Sequence, residues 1–322
     1  MVEFNLNFPR AYGDLTTTAV FREQPEDFQV DEDLGFLPSG SGEHVFLHIR
    51  KRGENTAWVA EKIAAIAKTN INDIGFCGRK DRHAVTTQWF SVYLPKGAEP
   101  FWDNINSETI QLLSVSRHQQ KLRRGDHQKN HFIILLRDLK TDNKSAVEKN
   151  IERIFSQGVP NYFGEQRFGR NGNNLSEAQA ILIDGKRYRD KQKRGLMLSA
   201  ARSYLFNQVL AARVLAGNWM QKLEGEVANF PSGPLWGRGL TLVAGATAEL
   251  ESKVLNDWVG WCNGLEHAGL VQERRALQLL PQNASYKWEG QNLQLRFSLD
   301  AGEFATAVLQ ELALLQSAIM SE

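Results

Sequence analysis

A chain of 322 residues, 42% hydrophobic and 23% charged, has the balance of a soluble globular protein and the length for about two domains. Its 38 Lys and Arg against 37 Asp and Glu leave a formal net charge of +1, so a nucleic-acid or membrane partner must be met by local patches. Cys77 and Cys262 cannot build a disulfide framework and fit a reducing cytoplasm, no apolar run approaches the ~18 residues of a membrane span, and Met1 to Arg10 lacks a signal-peptide pattern.

The first stretch, through Gly53, reads as short strands and turns. Phe28 to Glu32 alternates, Val45 to Ile49 is a compact apolar run, and Pro38-Ser39-Gly40-Ser41-Gly42 is turn chemistry. A helix is expected from Thr56 to Lys68, with Val59, Ile63 and Ile66 on one face. Ile74-Gly75-Phe76 and Trp89 to Leu94 then read as two strands flanking a charged loop, Gly78 to His83. Phe132 to Leu136 reads as a buried strand. The next helix is expected to open on a capping box of Ser145 and Glu148, to carry Val147, Ile151, Ile154 and Phe155, and to stop at Gly158 and Pro160. Further helices are expected near Ser199 to Gly217 and Thr247 to Val259. Leu293, Leu295, Phe297 and Leu299 alternate as a strand, and a final helix carries Val308, Leu312 and Leu315. Strands at both ends and helices between them imply an α+β domain interrupted by a mainly helical insertion.

Several chemistries lack the spacing they need. His127 and His131 lie four apart but lead into a strand, and neither cysteine has a CxxC neighbour, so no metal is expected. Gly233-Pro234-Leu235-Trp236-Gly237-Arg238-Gly239 lacks the Gly-Lys-Ser/Thr end of a phosphate-binding loop. No serine sits in a Gly-x-Ser-x-Gly elbow.

The basic clusters are more informative. Arg117 to Lys129 contains Arg123 and Arg124 ahead of Phe132; Arg167 to Arg170 adjoins Tyr162, Phe163 and Phe168; Lys186 to Arg194 contains Arg187 and Arg189 around Tyr188. Each cluster alone is an ordinary solvated face. Together with Arg79, Lys80 and Arg82 they set cations beside flat side chains, the combination that phosphates and unstacked bases require, and RNA suits them better than DNA. Within the loop, Asp81 is either a salt-bridged turn residue or an ionised nucleophile among cations. Patterning leaves both open.

Read as a series, these motifs resemble the TruD family of tRNA pseudouridine synthases. Gly78-Arg79-Lys80-Asp81-Arg82-His83-Ala84 is similar to the family's catalytic motif, and Pro25-Glu26-Asp27-Phe28 with Glu32-Asp33-Leu34-Gly35-Phe36 to its N-terminal motif. Lys129-Asn130-His131-Phe132, Val159 to Gly169, Leu198 to Ser203, Gly233 to Gly237 and Ala301 to Thr306 continue the series in family order. The resemblance covers nearly the whole chain. Residues 217–269 form a shorter insertion than the family's, and Arg79 and Arg82 stand at positions that vary in type.

The resemblance implies isomerisation of uridine to pseudouridine at position 13 in the D-arm of tRNA, in the cytoplasm, by a monomer needing no cofactor, metal or membrane. Asp81 would be the catalytic aspartate, attacking C1′ of the ribose, adding to C6 of the base or assisting glycosidic cleavage. Phe28, Asn130 and Phe304 match residues lining the uridine pocket, Phe132 the aromatic that stacks on the base, and Arg22 a basic residue beside the aspartate. Arg79, Lys80, Arg82, Arg123, Arg124, Arg167, Lys186, Arg187 and Arg189 are the expected RNA-backbone contacts. Residues 1–157 with 279–322 would form the catalytic domain, a mixed, largely antiparallel sheet with flanking helices. Residues 158–278 would form a mainly helical α+β insertion domain, the other wall of an RNA-binding cleft. A non-catalytic RNA-binding protein or RNA chaperone with the same basic surface is the rival reading.

Overall fold

The computed structural model describes residues 4–95 and 99–317; Met1 to Glu3 of the N-terminal reading above lie outside the described residues. In chain order the first elements are β1 (Thr18–Phe21), β2 (Phe28–Asp33), β3 (His44–Arg52), α1 (Thr56–Ala67), β4 (Ile74–Phe76), β5 (Val85–Tyr93), β6 (Ile110–His118), β7 (Lys129–Lys140) and α2 (Lys144–Gln157). The middle holds β8 (Val159–Pro160), α3 (Asn173–Leu182), α4 (Lys191–Leu215), β9 (Ser232–Leu235), α5 (Gly245–Val254), α6 (Val259–His267), β10 (Glu273–Ala276) and β11 (Gln278–Leu279). The chain closes with β12 (Gln282–Glu289), β13 (Asn292–Asp300), α7 (Ala305–Gln310) and β14 (Leu314–Ser317).

These elements form two compact units. The sheet unit contains residues 16–148, 281–303 and 313–322; the helical unit contains 1–15, 149–280 and 304–312.

In the sheet unit, ten strands form one sheet whose main path is β12-β13-β7-β2-β5-β3-β6, with β1 beside β7, β14 beside β1 and β4 beside β5. Only the β2–β5 and β1–β14 pairings are parallel, giving the mixed, largely antiparallel α+β sheet that the pattern and the resemblance implied. Register decides what shares a face, because paired residues point the same way and neighbours alternate. Val30 pairs with both Phe132 and Thr86, Glu32 with Asn130, and Thr86 with Lys51. One face therefore carries Phe28, Val30, Glu32, Asn130, Phe132, Thr86, Gln88 and Lys51. Helix α1, capped by the Asn55 side chain on Ala57 N, packs Val59, Ala60 and Ile63 against Val45, Leu47, Ile49, Phe90 and Val92. Each such fully buried branched side chain contributes about 1.5–3 kcal/mol. The loop after β6 lies close on β4 at Gly75, where any side chain would strike the Leu122 carbonyl.

In the helical unit, α4 is the axis. Its Leu198, Ala201, Leu205, Phe206, Val209 and Leu210 are buried among Leu175 and Ala178 of α3 and Trp261 and Leu265 of α6. The N-terminal segment belongs here for a physical reason: Phe4, Phe8 and Tyr12 recur every four residues and insert into this aromatic core. Phe4 meets Tyr204 at 5.7 Å and Trp261 at 5.5 Å, and Phe8 stacks on Tyr162 at 5.2 Å. Glu311 accepts from Ala11 N at 3.1 Å and from Tyr12 N at 3.3 Å, which ties residues 304–312 to the same unit.

Four expectations about elements change. Helix α4 starts at Lys191, eight residues before Ser199, because Asp190 caps it by accepting from Gln192 N and Lys193 N. The expected Thr247–Val259 helix is two helices broken after Val254. The Ser145–Glu148 capping box is absent: Asn143 accepts from Ala146 N, and Glu148 accepts from Trp288 Nε1 at 2.9 Å. The final helix ends at Gln310, so neither Leu312 nor Leu315 is helical; Leu315 pairs with Ala19 in the parallel β1–β14 contact.

Candidate active site

The Gly78–His83 loop joins β4 to β5 on the face just defined, and buried side chains beneath it fix its backbone. Thr56, the first residue of α1, accepts from Lys80 N at 3.0 Å and donates to Gln88 Oε1 at 2.9 Å; Gln88 Nε2 donates to the Gly78 carbonyl at 3.2 Å. Lys51 Nζ donates to the carbonyls of Asp81 at 3.1 Å and Glu54 at 2.7 Å. Lys80 Nζ lies 2.7 Å from Glu32 Oε2 and donates to Asn130 Oδ1 at 2.6 Å. Glu32 Oε1 accepts from Trp89 N at 3.0 Å, and Asn130 Nδ2 faces His127 Nε2 at 3.1 Å. Hydrogen bonds satisfy nearly every one of these buried polar groups and tie the loop backbone from beneath at Gly78, Lys80 and Asp81.

On the outward side stands Asp81. Its carboxylate Oδ2 is 3.1 Å from Arg22 Nη2, and the two side chains are 41% and 11% exposed respectively. Arg22 leaves the end of β1 at φ +59°, a left-handed conformation that costs a non-glycine residue ~1–3 kcal/mol and clusters at functional sites. Its guanidinium lies 4.0 Å from the Phe28 ring centroid and 4.8 Å from that of Phe21, cation–π contacts that fix its plane. Its buried Nε has no hydrogen-bond partner among the described residues. Beneath Arg22, Phe28 packs on Phe132 at 5.9 Å and Phe132 stacks on Phe297 at 5.5 Å. The arrangement is a half-exposed carboxylate paired with a guanidinium above an aromatic floor.

Six expected site residues thus meet in the sheet unit: Arg22, Phe28, Lys80, Asp81, Asn130 and Phe132. One changes role. Lys80, expected on RNA phosphate, is turned inward and bound to Glu32, whose side chain is fully buried. Sequence reading missed Lys51, Thr56 and Gln88. The one signal was parity, since Lys51 continues the buried Val45, Leu47, Ile49 alternation of β3 with a charge.

One potential metal-ligating group occurs among the described residues, Glu32, Cys77 and His127, whose ligand atoms lie within 4.8 Å of one another. It is a poor cation site: the Lys80 ammonium already occupies Glu32, and burial pushes the Cys77 thiol up to about 12. His131 lies elsewhere, against Asp33 and Ser298.

The family model described as tRNA pseudouridine synthase D (TruD) matches residues 11–189 and 228–312. The chain belongs to the TruD family. It is 56% identical to tRNA pseudouridine synthase D of Cellvibrio japonicus over 98% of this chain and 95% of that one. It is 46% identical to the Aeromonas hydrophila protein of the same name, covering 94% of this chain and 92% of that one. The crystal structure of a TruD protein from Methanosarcina mazei superposes with a TM-score of 0.69 over 94% of this chain and 95% of the other, at 19% identity, a likeness of fold.

The remaining TruD motifs lie in the helical unit, apart from Ala301 to Glu303, which belong to the sheet unit, and much of their chemistry is structural. Asn207 of α4 accepts from Phe163 N and donates to Phe163 O, pinning that motif, and Arg202 donates to Leu235 O and pairs with Glu273. Phe304 also belongs to this unit, 39% exposed, with its ring 6.1 Å from Phe163. Arg167 donates to Ser203 Oγ and lies 5.2 Å from the Phe163 ring. Lys186 pairs with Glu177, while Arg187 and Arg189 are exposed without ion pairs among the described residues. In the sheet unit Arg79, Arg82, Arg123 and Arg124 are likewise exposed and unpaired among the described residues.

Proposed function

We propose that the chain isomerises uridine to pseudouridine in tRNA, at position 13 of the D-arm, with Asp81 as the catalytic carboxylate. The observation that carries this is the half-exposed Asp81 carboxylate, held by Arg22 over Phe28 on a loop fixed from beneath, in a chain 56% identical to a tRNA pseudouridine synthase D. The reaction breaks the N1–C1′ bond, turns the uracil, forms a C5–C1′ bond, releases the C5 hydrogen as a proton and leaves N1 carrying a proton in its place. It exchanges one bond for another without change of oxidation state, so Asp81 acts without metal or organic cofactor.

The residues divide the work. Asp81 attacks C1′, adds to C6 or assists departure of the base. Arg22 orients it through a charge-assisted hydrogen bond. Phe28, Phe132 and Asn130 are the uridine-pocket residues that the resemblance implies, and all three are buried, at 3%, 7% and 8% exposure, as the floor beneath Arg22 and Asp81. The pocket role of Phe304 and the phosphate role of Arg167 rest on the family resemblance. Arg79, Arg82, Arg123, Arg124, Lys186, Arg187 and Arg189 supply cations for the RNA backbone. Residues 1–157 with 279–322 are the catalytic domain, of which 1–15, 149–157, 279–280 and 304–312 group with the helical unit, and residues 158–278 are the insertion domain of a cytoplasmic monomer. No helix among the described residues is long and apolar enough to cross a membrane.

The test is to incubate the purified chain with a tRNA transcript carrying U13 and map pseudouridine by chemical modification and primer extension. Modification at position 13 alone is expected. Modification only elsewhere overturns the positional assignment, and binding without modification of any tRNA favours the non-catalytic RNA-binding protein.

A further inference from the structure

Lys51 is a fully buried lysine, and nothing in the reaction requires it to touch the nucleotide. A buried ammonium is costly, and replacing such a group by an apolar one is often neutral or stabilising, so its contribution is to be sought in geometry. It lies on the last turn-facing part of β3, beside Thr86 of β5 and Ile110 of β6, and spans from β3 to the loop. Its two hydrogen bonds go to the peptide carbonyls of Glu54, in the turn leading to α1, and of Asp81 itself. The second fixes the peptide plane from which the Asp81 side chain springs. Thr56 and Glu32 hold Lys80, the residue before Asp81, and Arg22 holds the Asp81 carboxylate, but Lys51 alone among the described side chains bonds the Asp81 backbone.

We propose that Lys51 is a positioning residue for Asp81: its buried ammonium ties the Asp81 and Glu54 carbonyls together and so sets the pose of the catalytic carboxylate. This rests on the reading of Asp81 given above. The titratable groups facing Lys51 are Asp81 and Lys80 from the loop and Glu54 from the turn; Thr86, Ile110 and Thr56 on the neighbouring strands and helix are neutral. Burial pulls the ammonium down from the ordinary lysine range to about 8, the Asp81 charge offsetting part of the effect and Lys80 adding to it. Below that value the ammonium is intact and the tie holds. Above it the charge is lost, and the neutral amine, with two N–H donors in place of three, holds the two carbonyls less strongly.

The experiment measures kcat, KM and tRNA affinity against pH for wild type, Lys51→Met, Lys51→Arg and Asp81→Asn, with melting curves for each. Wild-type kcat is expected to fall with a midpoint near the Lys51 value of about 8 while affinity holds. Lys51→Met is expected to lower kcat roughly 100-fold, the loss that a misplacement of about 1 Å brings, with tRNA affinity within twofold of wild type. Lys51→Arg, charged throughout, is expected to regain activity and move the alkaline fall upward. An arginine variant whose fall coincides with that of wild type assigns it to the uracil or another group and overturns the proposal. So does a methionine variant with wild-type kcat, or one that loses tRNA affinity instead. Should the methionine variant not fold, the arginine variant decides. Activity surviving in Asp81→Asn is a different failure, that of the catalytic assignment.

Discussion

Lys80→Met separates two readings of the same residue. In the structure Lys80 Nζ is 2.7 Å from Glu32 Oε2 and 2.6 Å from Asn130 Oδ1, with the two charged side chains 8% and 0% exposed. Removing the ammonium leaves a fully buried carboxylate with one hydrogen-bond donor, the Trp89 peptide N–H at 3.0 Å. Breaking a buried pair from one side costs about 3–5 kcal/mol. At ~2–4 °C per kcal/mol for a unit of this size, the sheet unit should melt about 6–20 °C lower. Adding Glu32→Gln removes the stranded charge while keeping an acceptor for Trp89 N, so the double variant should recover most of that loss. Differential scanning calorimetry reads both shifts, and a filter-binding titration of tRNA reads affinity in parallel. Lys80→Met melting with wild type, but losing tRNA affinity with a shallower salt dependence, would refute the inward assignment and restore Lys80 to the RNA surface.

Other outcomes follow from neighbouring groups. Arg22→Met removes a charge-assisted bond of about 1.5–3 kcal/mol, so kcat should fall roughly 10- to 150-fold while tRNA affinity changes little; the converse pattern would make Arg22 a phosphate contact. Affinity for tRNA should fall steeply with salt, and replacing Arg124 or Arg189 singly should lower the slope by about 1, whereas a slope that ignores both would remove them from the interface. Burial pushes the Cys77 and Cys262 thiols up to about 12, so neither should react with a thiol reagent at neutral pH until urea exposes them; rapid native labelling of either would contradict its placement.

Strands with one buried face were legible because their period is two. Phe28 to Glu32 and Leu293 to Leu299 alternate in the text as they do in the sheet. The Asp81 loop was legible for a different reason, as four charges between two apolar runs. What escaped depends on partners distant in sequence. Lys80 reads as one more cation in a row, and only the pairing of β2 with β7 brings Glu32 and Asn130 to it. Lys51 gains its meaning from a carbonyl thirty residues on. The first stretch reads as short strands and turns, and nothing in it shows that Phe4, Phe8 and Tyr12 pack into the aromatic core around α4. Residues 191–196 open α4 almost without apolar periodicity, so a capping aspartate sets that end more than a hydrophobic stripe does. Leu315 fits the final helical face in spacing, yet the parallel edge of β1 claims it for a strand.

The most direct measurement of the central claim uses tRNA tritiated at uridine C5, because joining C5 to C1′ must release that label to water. Wild type and Asp81→Asn are compared in single turnover at saturating enzyme, where both bind the tRNA. Tritium release by wild type, with release by the asparagine variant at the no-enzyme level, is the predicted result. Release that survives in Asp81→Asn would contradict the assignment of Asp81 as the catalytic carboxylate.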